Sequence, residues 1–224
     1  MIMIFYTILL LLLCIALLCL SKKTKVSKKQ QKTKSINNVD IKNYRELLIG
    51  CGSDMSKKLA VGQRSEWINV TTIDINPEHE PDLVWDLNKM PLPFDNDTFD
   101  EIHAYEVLEH VGRQGDYQFF FAQFSDFYRI LKPNGVIAAT CPSISSPWSW
   151  GDPSHTRIFQ KENFVFLDQS EYVRQVGVTP MSDFRYIYKA DFTRLLVDDN
   201  GDSINFILQA VKPSRHVKPK VIYS

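Results

Sequence analysis

Three times between Leu47 and Asp86, a short apolar run stops at a glycine or a carboxylate. Leu47-Leu48-Ile49 runs into Gly50-Cys51-Gly52, Val70-Thr71-Thr72-Ile73 into Asp74, and Leu83-Val84-Trp85 into Asp86. Short buried strands separated by helical or turn segments imply an α/β fold with a mostly parallel sheet. Phe99 to Val107 reads as a fourth strand and Val136 to Thr140 as a fifth. Between them Phe120, Phe121, Phe124, Phe127, Tyr128 and Leu131 share one helical face. Lys132-Pro133-Asn134-Gly135 then ends the helix and turns the chain into the fifth strand. Phe192–Val197 and Ile204–Val211, joined through Asn200-Gly201, predict an antiparallel hairpin that closes the sheet. One domain is expected over residues 41–212, with no internal repeat, and a loose tail from Pro213 to residue 224.

The N-terminus is of another kind. Met1 to Leu20 is almost unbroken apolar sequence, which as a helix reaches ~30 Å, the thickness of a bilayer core. No positive charge precedes it and no small-residue cleavage site follows, so a membrane anchor is expected rather than a signal peptide. Seven lysines (22, 23, 25, 28, 29, 32 and 34) crowd the linker at residues 21–40. They predict that this side stays cytosolic, against the anionic lipid surface.

Charge excludes one class of partner. The 26 basic and 26 acidic residues cancel, but with seven lysines in the linker the body is acidic, and nucleic acid is not expected as substrate. Cys14, Cys19, Cys51 and Cys141 have no CxxC or zinc-finger spacing, so neither a metal site nor a disulfide framework is expected, and buried neutral thiols are.

At Gly50-Cys51-Gly52 the backbone can approach a ligand closely. Asp74, 22 residues beyond Gly52 at the end of the next strand, can accept both hydroxyls of a ribose. The third glycine of the dinucleotide fingerprint is absent, since Met55 stands in its place.

An ordered set of further segments narrows the reading. It comprises Trp67-Ile68-Asn69-Val70, Asp74, Pro81 through Asn88, Pro91 through Ile102, and Val107-Leu108-Glu109-His110-Val111. Leu131 to Val136 and Asp152-Pro153-Ser154-His155-Thr156-Arg157 with Phe159 follow. This closely resembles the class I S-adenosylmethionine-dependent methyltransferases, in particular the bacterial-type group that often accompanies saccharide-modifying enzymes. The resemblance covers roughly residues 47–164 and implies a Rossmann-like fold with S-adenosylmethionine as cofactor. It also implies roles. Gly50, Cys51 and Gly52 would run beneath the methionine and ribose, and Asp74, with Ile75 beside it, would hold the ribose. Asp86 and Leu87 would meet the adenine, and Tyr105 and Glu106 would floor the methionine side. The family often has an acid two positions before the first glycine, where this chain has Leu48, and Ser53-Asp54 replace a glycine-containing continuation. Asp54 and Glu106 are the acids left to meet the cofactor's ammonium group.

Methyl transfer from a sulfonium is a direct displacement that needs alignment and, for a hydroxyl acceptor, a base. His155 and His110 are the candidates, because histidine titrates near neutrality and both follow strand ends, where α/β folds bind ligands. The anchor points to a small-molecule, saccharide or lipid acceptor at a membrane. Two other readings stay open: a membrane-tethered module that keeps the fold without catalysis, and a nicotinamide-dependent oxidoreductase.

Overall fold

A computed structural model describes residues 41–218. The expected membrane helix at 1–20, the lysine linker and residues 219–224 lie outside the described residues. Among the described residues no helix is long and apolar enough to cross a membrane.

The domain begins at Tyr44. Its centre is one seven-stranded sheet: β1 (Glu46–Ile49), β2 (Val70–Asp74), β3 (Leu83–Val84), β4 (Phe99–Tyr105), β5 (Leu131–Pro142), β6 (Phe192–Asp199) and β7 (Ser203–Ala210). The order is β3-β2-β1-β4-β5-β7-β6. The first five strands are parallel, and β7 runs antiparallel to both β5 and β6. The expected mostly parallel sheet with a closing hairpin is what forms.

One face is apolar. Leu47 and Ile49 of β1, Ile73 of β2, Ile102 and Ala104 of β4, and Ile137 and Ala139 of β5 pack into one core with Phe121, Phe124, Phe127 and Ile130. These last four lie on helix α1 (Tyr117–Ile130), which Asp116 caps by accepting the Phe119 N–H. Each fully buried phenylalanine contributes roughly 1.5–3 kcal/mol. A one-turn helix α2 (Trp148–Gly151), a 3-10 segment at Lys161–Leu167 and helix α3 (Gln169–Gln175) follow β5.

The other face is different. Between β1 and β2, where helical or turn segments are expected, residues 53–69 form no helix. They make an irregular strap whose Leu59 and Trp67 pack against a small cluster of Leu48, Cys51 and Tyr105. Polar groups do most of the tying. Glu46 and Glu101 sit side by side on neighbouring strands, both wholly buried, and Lys57 Nζ lies between them at 2.7 and 2.6 Å.

Two expectations change. β5 starts at Leu131, already paired with Phe99, and the register resumes at Glu101–Val136. Lys132-Pro133-Asn134-Gly135 is therefore a bulge within a strand, not a turn ahead of one. Asn134 takes φ +65°, and a Cβ on Gly135 would stand 3.1 Å from the Asp100 carbonyl, so glycine is needed for the close approach. The stretch from Pro213 is not loose at its start. Arg215 pairs with Asp191 at 2.7 Å and with Asp168 at 3.0 Å, and Ser214 Oγ donates to the Lys189 carbonyl.

Candidate functional site

Strand order reverses at β1, which has β2 on one side and β4 on the other. Ligands of open α/β sheets bind beyond the carboxyl ends of the strands at such a point. Here those ends are Gly50 and Glu106. Gly50 has φ +61° and Gly52 φ +55°. A Cβ on Gly50 would lie 2.3 Å from Val107 Cγ2, so the loop leaves β1 pressed against the end of β4. Cys51 is buried between them, its thiol pushed up by burial and then by the nearby Asp74. Both described cysteines, Cys51 and Cys141, are free and buried, as expected.

Asp74 ends β2 as anticipated. Its Oδ2 accepts the Gly52 N–H at 2.9 Å and its Oδ1 the Asn76 N–H at 2.8 Å. Burial pushes the carboxyl up, but these donors and His79, 3.3 Å away, hold it below its ordinary value. A carboxylate oxygen has two lone pairs and each here takes one backbone N–H, so one on each remains, enough for two hydroxyls. Ile75 beside it is 65% exposed, so the strand end opens to solvent there.

Asp86 follows Trp85, one residue past the end of β3. Its Oδ1 takes the backbone and side-chain N–H of Asn88, which lower its pKa, while Oδ2 has neither. The Leu87 side chain packs into the main core, leaving its backbone as the part a ligand could meet. Leu48 is buried in the small cluster, so no carboxylate stands before the glycine loop at that position. Asp54 turns back on its own chain, accepting the Ser56 N–H.

Tyr105 and Glu106 part company. The Tyr105 hydroxyl points away from the strand end, bonded to His103 Nδ1 at 2.6 Å and accepting the Leu59 N–H at 3.2 Å. Glu106 is exposed and takes φ +53°, a left-handed conformation costly for a side chain of this type. That bend carries the chain into the 3-10 turn Leu108–His110, so His110 closes a turn rather than beginning a helix.

The bend also opens a cavity of about 300 Å³ lined by Glu106, Glu109, His110, Pro142, Ser146, Trp148, Asp152, His155 and Asp202. His110 and His155, 45 residues apart in sequence, meet here with ring centroids 4.6 Å apart. The Asp152–Arg157 pair and buried tryptophans that would merely staple this loop do not form. Arg157 is buried elsewhere, donating to the Leu108 carbonyl and Gln123 Oε1, and burial lowers its pKa to about 10. Trp148 and Trp150 are 68% and 60% exposed.

Sequence reasoning gave Glu109 no role. Only 2% exposed, it has no donor in hydrogen-bond geometry on either carboxylate oxygen, with only the weakly donating Cys141 thiol beside it, and burial, then the charge of Glu106, raises its pKa to about 7. The available signal was an acid inside the apolar Val107-Leu108-Glu109-His110-Val111 run.

Residues 47–139 match the family model of the methyltransferase domain. Over those residues the chain is similar to a methyltransferase domain, and the match supports a class I S-adenosylmethionine-dependent methyltransferase. The methyltransferase match spans β1 to the middle of β5, and with it the glycine loop, Asp74, Asp86 and the Glu106–His110 turn; the nicotinamide reading falls away. Solved structures resemble the same domain at low identity. One is a SAM-dependent methyltransferase from Archaeoglobus fulgidus, with 16% identity, 74% of this chain and 86% of that chain covered, and a TM-score of 0.46. Another is the N-methyltransferase NodS from Bradyrhizobium japonicum in complex with S-adenosylhomocysteine, with 15% identity, coverage of 75% and 78%, and a TM-score of 0.43. A third is a complex between the Haloferax volcanii Trm112 methyltransferase activator and a methyltransferase, with 14% identity, coverage of 75% and 83%, and a TM-score of 0.46. No curated protein matches the chain.

Proposed function

We propose that this chain is an active methyltransferase that moves the methyl group of S-adenosylmethionine to a hydroxyl-bearing small molecule, saccharide or lipid at a membrane surface. The observation that carries this reading is the arrangement at the switch point. Asp74 is kept ionised with two lone pairs to spare, and the acceptor-sized cavity begins at Glu106, the next strand end. Glu106 is our choice for the cofactor's ammonium group, since Leu48 is apolar and Asp54 is turned back on its own chain. Gly50, Cys51 and Gly52 would lie beneath the methionine and ribose, with Ile75, Asp86 and Leu87 toward the adenine. Tyr105 would contribute its ring, as its hydroxyl is engaged elsewhere.

The acceptor's basic neighbour is His155. Its Nδ1 faces the Ser149 carbonyl at 3.1 Å, which places the ring proton there and leaves the Nε2 lone pair for the cavity. His110 stands beside it. The membrane setting is supported by the apolar N-terminus with its lysine block, and by exposed Trp148 in the cavity lining with exposed Ile144 and Trp150 on the same segment. Tryptophan favours the interface between lipid and water.

Two measurements test the reading. Calorimetry with S-adenosylhomocysteine should give one site per chain. Membranes of the native source incubated with radiolabelled S-adenosylmethionine and the protein should gain label in a glycan or lipid fraction. Binding without transfer to any fraction would favour the non-catalytic tethered module that the missing acid at Leu48 suggests.

A further inference from the structure

We infer that Glu109, His110 and His155 form a binding site for one divalent transition-metal cation, open toward the acceptor cavity. Sequence spacing gave no hint of it, because the ligands come from two separate segments. In the fold, one ligating atom from each lies within 4.8 Å of the other two. A cation ~2.0–2.2 Å from each draws such atoms to within roughly 3.5 Å of one another, so the side chains close by about an ångström on binding.

Three observations point to a cation rather than a chance cluster. The first is Glu109. A buried carboxylate with no donor in hydrogen-bond geometry on either oxygen is costly; the Cys141 thiol beside it is a weak donor, and the buried Arg157, whose charge reaches it, is committed to Leu108 and Gln123. The second is the orientation of the imidazoles. His155 Nδ1 is held by the Ser149 carbonyl, and His110 Nδ1 lies 3.0 Å from Ser154 Oγ, which itself donates to Asp152 Oδ1 at 2.5 Å. Fixing Nδ1 by a carbonyl or a carboxylate-linked hydroxyl leaves Nε2 as the ligand atom, the usual outer support of a metal-bound histidine. The third is charge. Glu106, Asp152 and Asp202 line the cavity along with Glu109, and among the described residues no lysine or arginine does.

Two histidines and one carboxylate suit zinc, iron(II), manganese or cobalt and leave positions free for another ligand. The cation and direct base catalysis compete for the same lone pair, since an Nε2 that binds metal takes no proton. With the cation in place, an acceptor hydroxyl bound at an open position is acidified by it; this consequence rests on the methyltransferase reading, whereas metal binding itself does not.

The test uses the full-length chain, stripped with a chelator and titrated with Zn²⁺ by calorimetry, and with Co²⁺ by visible absorption. One equivalent should bind, Glu109→Gln and His155→Ala should each weaken it at least tenfold, and His216→Ala should leave it unchanged. S-adenosylhomocysteine affinity, measured on the same samples, should hold in all three variants. Absence of stoichiometric binding, or an affinity unchanged from that of the unsubstituted protein in Glu109→Gln or in His155→Ala, would overturn the site. Zinc binding in a protein that takes no S-adenosylhomocysteine would leave the metal site standing and remove the cofactor reading instead.

Discussion

The domain holds two clusters of carboxylate and histidine, one wholly buried and one opening on a cavity, and they are built to opposite ends. In the first, Glu46, Glu101 and His103, every oxygen is accounted for. Glu46 takes Lys57 and the N–H groups of Ile68 and Asn69; Glu101 takes Lys57, Arg64, Tyr44 and His103. Burial pushes the Glu101 carboxyl up, but His103, Lys57 and Tyr44 hold it at about 2. Burial lowers the His103 pKa and so favours the ring that accepts the Tyr105 hydroxyl at Nδ1 and donates from Nε2 to Glu101. In the second cluster, Glu109, His110 and His155, the carboxylate has no donor in hydrogen-bond geometry and lines a cavity. The same residue types thus make a tie in one place and a vacancy for a ligand in the other, and the ammonium of Lys57 is the difference.

The comparison predicts substitutions of opposite sign. Lys57→Met strands two buried carboxylates and should cost about 3–5 kcal/mol, read as a large drop in the denaturation midpoint. A loss below 1 kcal/mol would mean that the tie does not hold the strap. Glu109→Gln should instead stabilise the metal-free protein at pH 8, by up to ~3 kcal/mol, since a pKa raised from 4.5 to about 7 disfavours folding at high pH.

The pH dependence separates the clusters within one protein. Glu101, depressed when folded, contributes stability that is present above pH 4.5 and lost as pH falls toward 2. Glu109, raised when folded, contributes stability that is lost as pH rises from 4.5 to about 7 and is constant beyond. Unfolding curves of the metal-free chain, followed from well below pH 4.5 to above the Glu109 transition at about 7, should show both limbs, and Glu109→Gln should erase only the second. The smallest contrast is between hydroxyls. Tyr44→Phe removes a buried donor to Glu101 and should cost on the order of 1–3 kcal/mol, while Ser154→Ala at the exposed rim of the second cluster should change stability by less than ~0.5 kcal/mol.

The parallel strands, the hairpin and the glycine loop with Asp74 were legible because each is local: an apolar run, then the residue that ends it. The first cluster was not. Glu101, His103 and Tyr105 alternate with Ile102 and Ala104, a pattern that reads as a solvent-facing side of β4, and only the strap's Lys57 and Arg64 make burial tolerable. The Lys132–Gly135 bulge was misread as a turn because proline, asparagine and glycine mark both. The cavity at the end of β4 was half legible. His110 and His155 were singled out separately, but their contact, and the donorless Glu109 beneath them, depend on the left-handed bend at Glu106.

The strap at residues 53–69 has a kinetic meaning. It has no helix of its own, and its hold on the sheet runs largely through Lys57 and Arg64, so it forms a separate unit of local opening above a far more stable sheet. Its amides should exchange with solvent ahead of those in β1 and β4, and faster still once acid protonates Glu101. Because Gly50-Cys51-Gly52 leads directly into that strap, its local opening would free one wall of the proposed cofactor cleft and admit a nucleoside with the strands left unbroken.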